Sequence, residues 1–358
     1  DVQNNPFQPD VQYRGFTASP LLGLPQGISL YLNGIRFNEP FGDTVNWDLI
    51  PFAALDSVAL YSGSNPSFGQ NTLGGALDMR VKNGFTFARN ELDLQIASFG
   101  QRQATVQSGG NNGRWGYYVA INRLSEDGWR DFSSSDLKQV LTTLTYKGDT
   151  HHLELFAAAN DNALTGNGAV PEGLQDAEGY DAIYTYPDRT ENDHRMFALS
   201  SESALGNGFT LQANSYFRRN NIDTTNGDDS DYEECEFNNV VTLCEEEDDE
   251  VERVEFVGYA PEVTFSDISD LDADDIDGTL NQSATENKSY GLAVQLMHSK
   301  KTQHGEHEWV IGGGIDQADI DFVSDTEFGI LHNSTAEDDR SVSPTGFFDS
   351  ESQVRLGV

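Results

Sequence analysis

The chain has 358 residues, of which 37% are hydrophobic, and its 59 acidic against 21 basic residues leave a formal net charge of −38. That charge repels nucleic acid and anionic membrane surfaces at long range and argues against both as partners. No apolar run approaches the ~18 residues of a membrane helix, which excludes a helical membrane protein but not a transmembrane β-barrel, where only alternate residues face lipid.

Residues 1–84 are rich in Gly, Pro and Asn and carry short apolar segments at 28–32, 55–61 and 76–81. Tyr31-Leu32-Asn33-Gly34 ends a strand in an Asn-Gly turn, a strong hairpin signal. Residues 45–54, with Pro51 inside, allow one or two helical turns. The stretch from Asp56 to Lys82, DSVALYSGSNPSFGQNTLGGALDMRVK, reads as a strand, a polar turn, a Gly pair and a second strand. Gly63, Gly69, Gly74 and Gly75 supply permissive backbone, while Asn65-Pro66 and Asn71 add turn chemistry. A small α+β unit with short strands is predicted here.

From Phe85 onward the hydrophobic period is two. Trp115, Tyr117, Val119 and Ile121 share one face, and Gly116, Tyr118, Ala120 and Asn122 share the other. Phe209, Leu211, Ala213 and Phe217 alternate with Thr210, Gln212, Asn214, Tyr216 and Arg218, and Tyr290, Leu292 and Val294 with Gly291, Ala293 and Gln295. Such alternation suits lipid outside and a hydrated lumen inside, or the buried face of a soluble sandwich. The connections favour the barrel. Tight turns at 109–113, 147–150, 206–208 and 302–305 alternate with longer links at 127–135, 161–193, 223–283 and 324–340, the short and long rims of an outer-membrane barrel. About nine strands are predicted from Phe85 to Phe322, with a tenth starting near Thr345, and a sheet of that size needs further strands to close its edges.

Between Asp223 and Ser283 there are 22 acidic residues against the single basic Arg253. Such a block does not build a core of its own; it reads as a solvated loop or as a cation-attracting vestibule. The only two cysteines, Cys235 and Cys244, lie inside it. With no other Cys or His in that segment, they suit a local disulfide in an oxidising compartment rather than zinc. Asp270, Asp272, Asp274 and Asp277 hint at a calcium loop, but Asp275 stands where an EF-hand needs Gly and Asn281 where it needs Glu. His298, His304 and His307 lack a zincin spacing, and no Ser-His-Asp order, P-loop or dinucleotide fingerprint is present. Neither metal, cofactor nor enzymatic activity is expected.

Arg14-Gly15-Phe16, Tyr31-Leu32-Asn33-Gly34 and the glycine-punctuated stretch 55–82 follow one another in the order and spacing of a TonB-dependent outer-membrane receptor plug, and the chain resembles that family over residues 1–84. The resemblance implies a mainly β fold: a partial α+β plug at 1–84, then the N-terminal part of an antiparallel transmembrane β-barrel at 85–358, with acidic extracellular loops at 161–193, 223–283 and 324–340. It implies active import of a scarce nutrient, foremost an iron-siderophore or similar iron chelate. The implied partners are TonB with its inner-membrane energising complex and the lipid of the outer membrane. A passive porin or adhesin-like barrel is the alternative, and a secreted soluble β-protein a more distant one. The plug's N-terminal half, the TonB-contacting box and a leader are expected upstream of Asp1, so the chain reads as part of a longer protein. It departs from the family at Ser57, Ala59 and Ser62, where charged residues are usual, so ion pairs from plug to barrel are not expected there. By motif position Arg14 corresponds to an arginine that points into the family's ligand pocket. The loop RFNEPFGDTVNW implies Arg36, Phe37, Asn38, Phe41, Asp43 and Trp47 as further ligand-binding candidates, its aromatic, amide and charged groups suiting a polar, partly aromatic ligand.

Overall fold

The computed structural model describes residues 5–64, 68–230, 232–237, 240–247, 250–253, 278–302, 305–329, 332–333, 342–343 and 355–357. The N-terminal unit opens with a hairpin of β1 (Val11–Tyr13) and β2 (Phe16–Ala18). A four-stranded sheet follows, made of β3 (Ile28–Leu32), β4 (Ile35–Arg36), β5 (Leu55–Ser62) and β6 (Gly75–Val81) in the order β4-β3-β6-β5. Asn33 and Gly34 both take left-handed backbone, φ 51° and 81°, which is the two-residue turn the sequence predicts. β3 and β6 are parallel, so the chain must cross over between them. Part of that crossover is two short 3-10 turns, Trp47–Leu49 and Phe52–Ala54, on either side of Pro51. Phe16 lies against Gly27 and Gly74; a Cβ at Gly74 would sit 2.8 Å from its ring. The Gly pair therefore leaves room for an aromatic ring as well as making a turn.

The second unit is one antiparallel sheet. Its strands are β7 (Asn90–Ile96), β8 (Arg102–Asn111), β9 (Trp115–Glu126), β10 (Ser135–Lys147), β11 (His151–Thr165), β12 (Asp188–Gly206) and β13 (Phe209–Asp229). Three short strands, β14 (Tyr232–Phe237), β15 (Val240–Glu247) and β16 (Glu250–Arg253), form a separate sheet, after which β17 (Gly278–Thr302) and β18 (Gly305–Gly329) resume the wall. Each wall strand pairs with its sequence neighbour, β17 follows β13 directly, and a short strand Arg355–Gly357 lies beside β18 as the tenth. This up-and-down order is the one predicted from the alternation of tight and long connections.

The two faces differ as a membrane wall requires. Trp115, Tyr117, Ile121, Leu144, Leu199, Phe217, Tyr290 and Leu292 point outward and are exposed, and on β18 Ile311 and Ile315 are 69% and 70% exposed. A continuous apolar outer band is tolerated when lipid covers it. Close to the short turns, aromatic pairs mark one edge of that band: Trp115 with Tyr146, ring centres 4.8 Å apart, and His298 between Phe209 and Trp309, at 4.4 and 5.5 Å. The inward residues Tyr118, Ala120, Leu141, Phe156, Ala158, Met196 and Ala198 join Leu30, Leu32, Ile35, Val45, Leu49, Ile50 and Met79 of the first unit in one core. The first unit is thus a plug packed against the inward face of the wall.

The strands run further than the sequence predicts. Residues 161–165, 188–193, 223–229, 278–283 and 324–329 belong to continuous ladders rather than to loops. Above the lipid band the outer face turns polar and hydrophobic alternation fades, while backbone pairing continues. Cross-strand ion pairs take over there, Arg123 with Asp136 at 2.7 Å, Lys138 with Asp161 at 3.1 Å and Arg219 with Glu286 at 2.9 Å. The link after β11 contains a short helix, Glu172–Glu178. In the acidic segment Cys235 and Cys244 are disulfide-bonded across β14 and β15, with Cα atoms 5.8 Å apart. The suggested calcium aspartates at 270–277, His304 and the expected strand start near Thr345 lie outside the described residues. No described helix is long and apolar enough to cross a membrane.

Candidate functional site

Two carboxylates on the plug, both in the crossover between β4 and β5, anchor it to the wall. Asp48 is 2% exposed. Its carboxylate accepts Asn162 Nδ2 at 2.8 Å, Asn192 Nδ2 at 2.9 and 3.1 Å and Gln8 Nε2 at 3.2 Å. Its main-chain oxygen accepts Asn162 Nδ2 at 2.9 Å and the Gln139 amide, and Asn160 Nδ2 donates to Leu49 O at 3.0 Å. β10, β11 and β12 thus grip one 3-10 turn with amides alone. Burial pushes the Asp48 carboxyl above the usual range, opposed by the amides, which favour its ionised form.

Glu39 is the second anchor. Asn220 Nδ2 of β13 donates to its Oε1 at 2.9 Å and Asn287 Nδ2 of β17 to its Oε2 at 3.2 Å. Arg218 stands 3.9 Å from Oε2, too far for a hydrogen bond but close enough to balance the charge, and the two side chains are 3% and 1% exposed. The guanidinium donates instead to the plug backbone, to Phe37 O at 2.7 Å and Asn38 O at 3.0 Å, and to Ser289 Oγ at 3.3 Å. Towards the short-turn rim the contacts are lighter: Lys82 Nζ reaches Gln107 Oε1 at 3.0 Å, and Glu154 accepts Asn33 and Asn83 at 3.1 and 3.3 Å.

Above these anchors, at the end facing the long connections, the plug forms an apex. Arg36 Nη2 pairs with Asp43 Oδ1 at 2.7 Å, Arg36 Nη1 donates to Gln70 O at 2.6 Å, and Asn71 donates to Asp43. Phe41 reaches across to Phe322 on β18, ring centres 4.9 Å apart. Beside the apex lies a cavity of about 320 Å³. Its plug side holds Leu21, Leu22, Glu39 and Phe41, and its wall side Asp188, Ile222, Asn226, Ser283, Thr285 and Asn287. Asp188 stands about 30 Å along β12 from the outward Phe197, beyond the lipid band. Burial raises its carboxyl to about 7, assisted by the nearby Asp228 charge and opposed by a hydrogen bond with Asn226. This group binds a proton more tightly in the folded protein. The stability it adds is full below the ordinary carboxylate value and is lost as pH rises through about 7. A protonated-carboxyl infrared band that bleaches with a midpoint near pH 7 is expected, absent from Asp188→Asn; a band bleaching only in the ordinary acid range would contradict it.

The structure disperses the sequence candidates. Phe41 lines the cavity, and Arg36 and Asp43 stiffen the apex next to it. Phe37 is fully buried against His194 and under Arg218, and Asn38 Oδ1 accepts Leu30 N at 2.7 Å. Trp47 is buried with its Nε1 donating to Ala18 O at 3.0 Å. Arg14 sits exposed at the tip of the first hairpin, its guanidinium over the Tyr13 ring, and does not line the cavity. The anchors Glu39, Asp48 and Arg218 and the carboxyl Asp188 are new. A signal for the wall side existed: Asn, a poor strand former, recurs at inward positions 160, 162, 192, 220 and 287.

A small domain packed against the inward face of an up-and-down sheet with an apolar outer face defines the plug-and-barrel class of fold. Residues 1–76 match the family model of the TonB-dependent Receptor Plug Domain, and the fold of the chain is similar to those of solved ferric-chelate receptors and transporters. It is similar to the ferric citrate transporter FecA in its unliganded form, at 11% identity and TM-score 0.58 over 91% of this chain and 44% of that one. It is similar to the ferripyoverdine receptor of the Pseudomonas aeruginosa outer membrane bound to ferripyoverdine, at 14% and 0.59 over 92% and 39%. A third likeness is to BauA, the ferric preacinetobactin receptor from Acinetobacter baumannii, at 13% and 0.55 over 90% and 42%. The chain therefore spans about two fifths of the length of these structures. No curated protein matches it in sequence.

Proposed function

We propose that the chain is part of the plug (1–84) and the first part of the barrel (85–358) of an outer-membrane receptor that imports a scarce nutrient, foremost an iron chelate, by TonB-dependent active transport. The plug is held against the wall by a shared apolar core and by buried side-chain hydrogen bonds, most of them from wall amides, and a cavity opens beside its apex on the long-connection side. That observation carries the reading, since polar contacts can be exchanged for water when a pulled plug rearranges. The names of the similar structures, which take ferric citrate, ferripyoverdine and ferric preacinetobactin, support an iron chelate as cargo. Phe41 meets the ligand, Arg36 and Asp43 shape the apex, and Phe37, Asn38 and Trp47 support it from below. The acidic long connections face the outside, and the work is transport without covalent chemistry. Uptake of radioiron chelates by cells carrying the full-length protein is expected to vanish when TonB is deleted. Equal uptake with and without TonB would sink the reading and favour a passive pore.

A further inference from the structure

We propose that the inward face of the wall carries a row of side-chain amides with two hydrogen-bonded arrangements, one turned onto the docked plug and one closed from strand to strand through His194. Release of the plug switches the row from the first to the second. The inference rests on the receptor reading above for its use, since only a plug that moves needs such a switch, and it concerns how the plug lets go rather than what is carried.

The strand register lines up seven inward residues side by side. Thr105 pairs with Asn122, Asn122 with Gln139, Gln139 with Asn160, Asn160 with His194, His194 with Asn220 and Asn220 with Asn287. All are buried, from 0% exposed at Asn220 to 9% at Asn122. Directly opposed side chains in a sheet have Cβ atoms ~4.5–5.5 Å apart, within reach of an amide hydrogen bond. The first part of the row is already closed: Thr105 Oγ1 donates to Asn122 Oδ1 at 2.9 Å and Asn122 Nδ2 to Gln139 Oε1 at 2.8 Å. From Gln139 onward the donors turn to the plug instead. Gln139 Nε2 binds Asp48 O, Asn160 Nδ2 binds Leu49 O at 3.0 Å, and Asn220 and Asn287 give theirs to Glu39 at 2.9 and 3.2 Å. Each of those plug groups only accepts, which fixes which end of every amide faces the plug.

That arrangement leaves a regular set of loose ends. Oδ1 of Asn160, Asn220 and Asn287 and both ring nitrogens of His194 are buried with no partner among the described residues. Isolated orphans of this kind are rare, and here they fall on four consecutive neighbours of one row. Turning the donors sideways pairs them all. Gln139 Nε2 then meets Asn160 Oδ1, Asn160 Nδ2 meets one His194 nitrogen, the N–H of the other meets Asn220 Oδ1, and Asn220 Nδ2 meets Asn287 Oδ1. A neutral imidazole has one donor and one acceptor, so it passes the chain of bonds on. The wall gives up four bonds to the plug and regains four within itself. His194 gives up none, since it meets the plug only through the Phe37 ring, centres 5.7 Å apart.

The full-length receptor in detergent, labelled with nitrogen-15 at histidine, reports the switch directly, with His194→Gln used to assign the signal. When urea releases the plug and leaves the barrel folded, the His194 N–H signal is expected to persist at neutral pH, because a ring N–H held in the closed row is shielded from exchange with water. Its disappearance on release would mean that the amides turn to water and would overturn the inference. His194→Phe keeps an aromatic ring beside Phe37 and breaks the row without touching any wall-to-plug hydrogen bond. Hydrogen exchange at the Leu49 and Ile50 amides in native buffer is expected to slow about tenfold in this variant, roughly the worth of one hydrogen bond lost from the released state. His194→Gln, which keeps a donor and an acceptor, should return to within about twofold of the parent. Unchanged or faster exchange in His194→Phe, or equal slowing in both variants, would also overturn the inference. TonB-dependent iron uptake is scored separately: uptake that ignores TonB removes the transport reading, whereas failure of the exchange and signal measurements removes the switch alone.

Discussion

Replacing Arg218 with alanine is expected to loosen the docked plug by about 3–5 kcal/mol, the cost of leaving a buried charge without its partner. Two losses combine. Phe37 O and Asn38 O lose their donors at 2.7 and 3.0 Å, and Glu39 keeps its negative charge in a site where it is 1% exposed. Asn220 and Asn287 remain on the Glu39 carboxylate, but neutral amides only soften an ion's desolvation cost. The effect should appear as faster hydrogen exchange at residues 37–39 and as a lower urea midpoint for plug release in detergent. A double-mutant cycle with Arg218→Met and Glu39→Gln separates charge from hydrogen bonding. The double variant should lose clearly less than the sum of the singles, because removing both charges removes the mutual penalty. Strictly additive losses would mean that the 3.9 Å separation is too long for the two groups to act as a pair.

The location of this anchor explains what the sequence does and does not disclose. Ser57, Ala59 and Ser62 replace charges usual in this kind of plug, and on that ground no ion pair was expected on β5. The structure places its buried charges elsewhere, at Glu39 and Asp48. Strand order, the outer apolar band and the turn at Asn33 and Gly34 were legible because each follows from local pattern: period two, short turns and an Asn-Gly pair. The anchors were not, because Glu39 and Arg218 are 179 positions apart and nothing local marks either as buried. The same reason dispersed the ligand candidates. The loop 36–47 alternates between wall and apex, so Phe37 and Trp47 turn into the core while Phe41 faces the cavity. Aromatic composition alone does not separate the two. The ends of β11, β12 and β13 were missed because polar outer residues erase the alternation that marks a strand, although the ladders continue through them.

Asp48→Ala is expected to destabilise plug docking by about 2–4 kcal/mol, whereas Asp48→Asn should be neutral or stabilising at neutral pH. The alanine leaves Asn192 Nδ2, which donates only to this carboxylate, buried and unpaired, and removes one of two acceptors from Asn162. The asparagine variant keeps an acceptor oxygen. That oxygen can keep the bond from Asn192 Nδ2, and Asn162 retains the main-chain oxygen of residue 48 as an acceptor. Burial is the largest influence on Asp48 and raises its carboxyl, so the ionised form costs the folded state something at neutral pH. The sign follows from proton linkage. A carboxyl raised on folding contributes stability that is complete in acid, below its unfolded value, and disappears as pH rises through its folded value. Plug docking in the parent protein should therefore weaken as pH rises over that interval, and Asp48→Asn should flatten this dependence. Urea-induced plug release followed across pH for the parent and both variants gives the answer. If Asp48→Asn is as damaging as Asp48→Ala at every pH, the carboxylate is needed as an ion, and the amides of β11 and β12 hold it charged despite its burial.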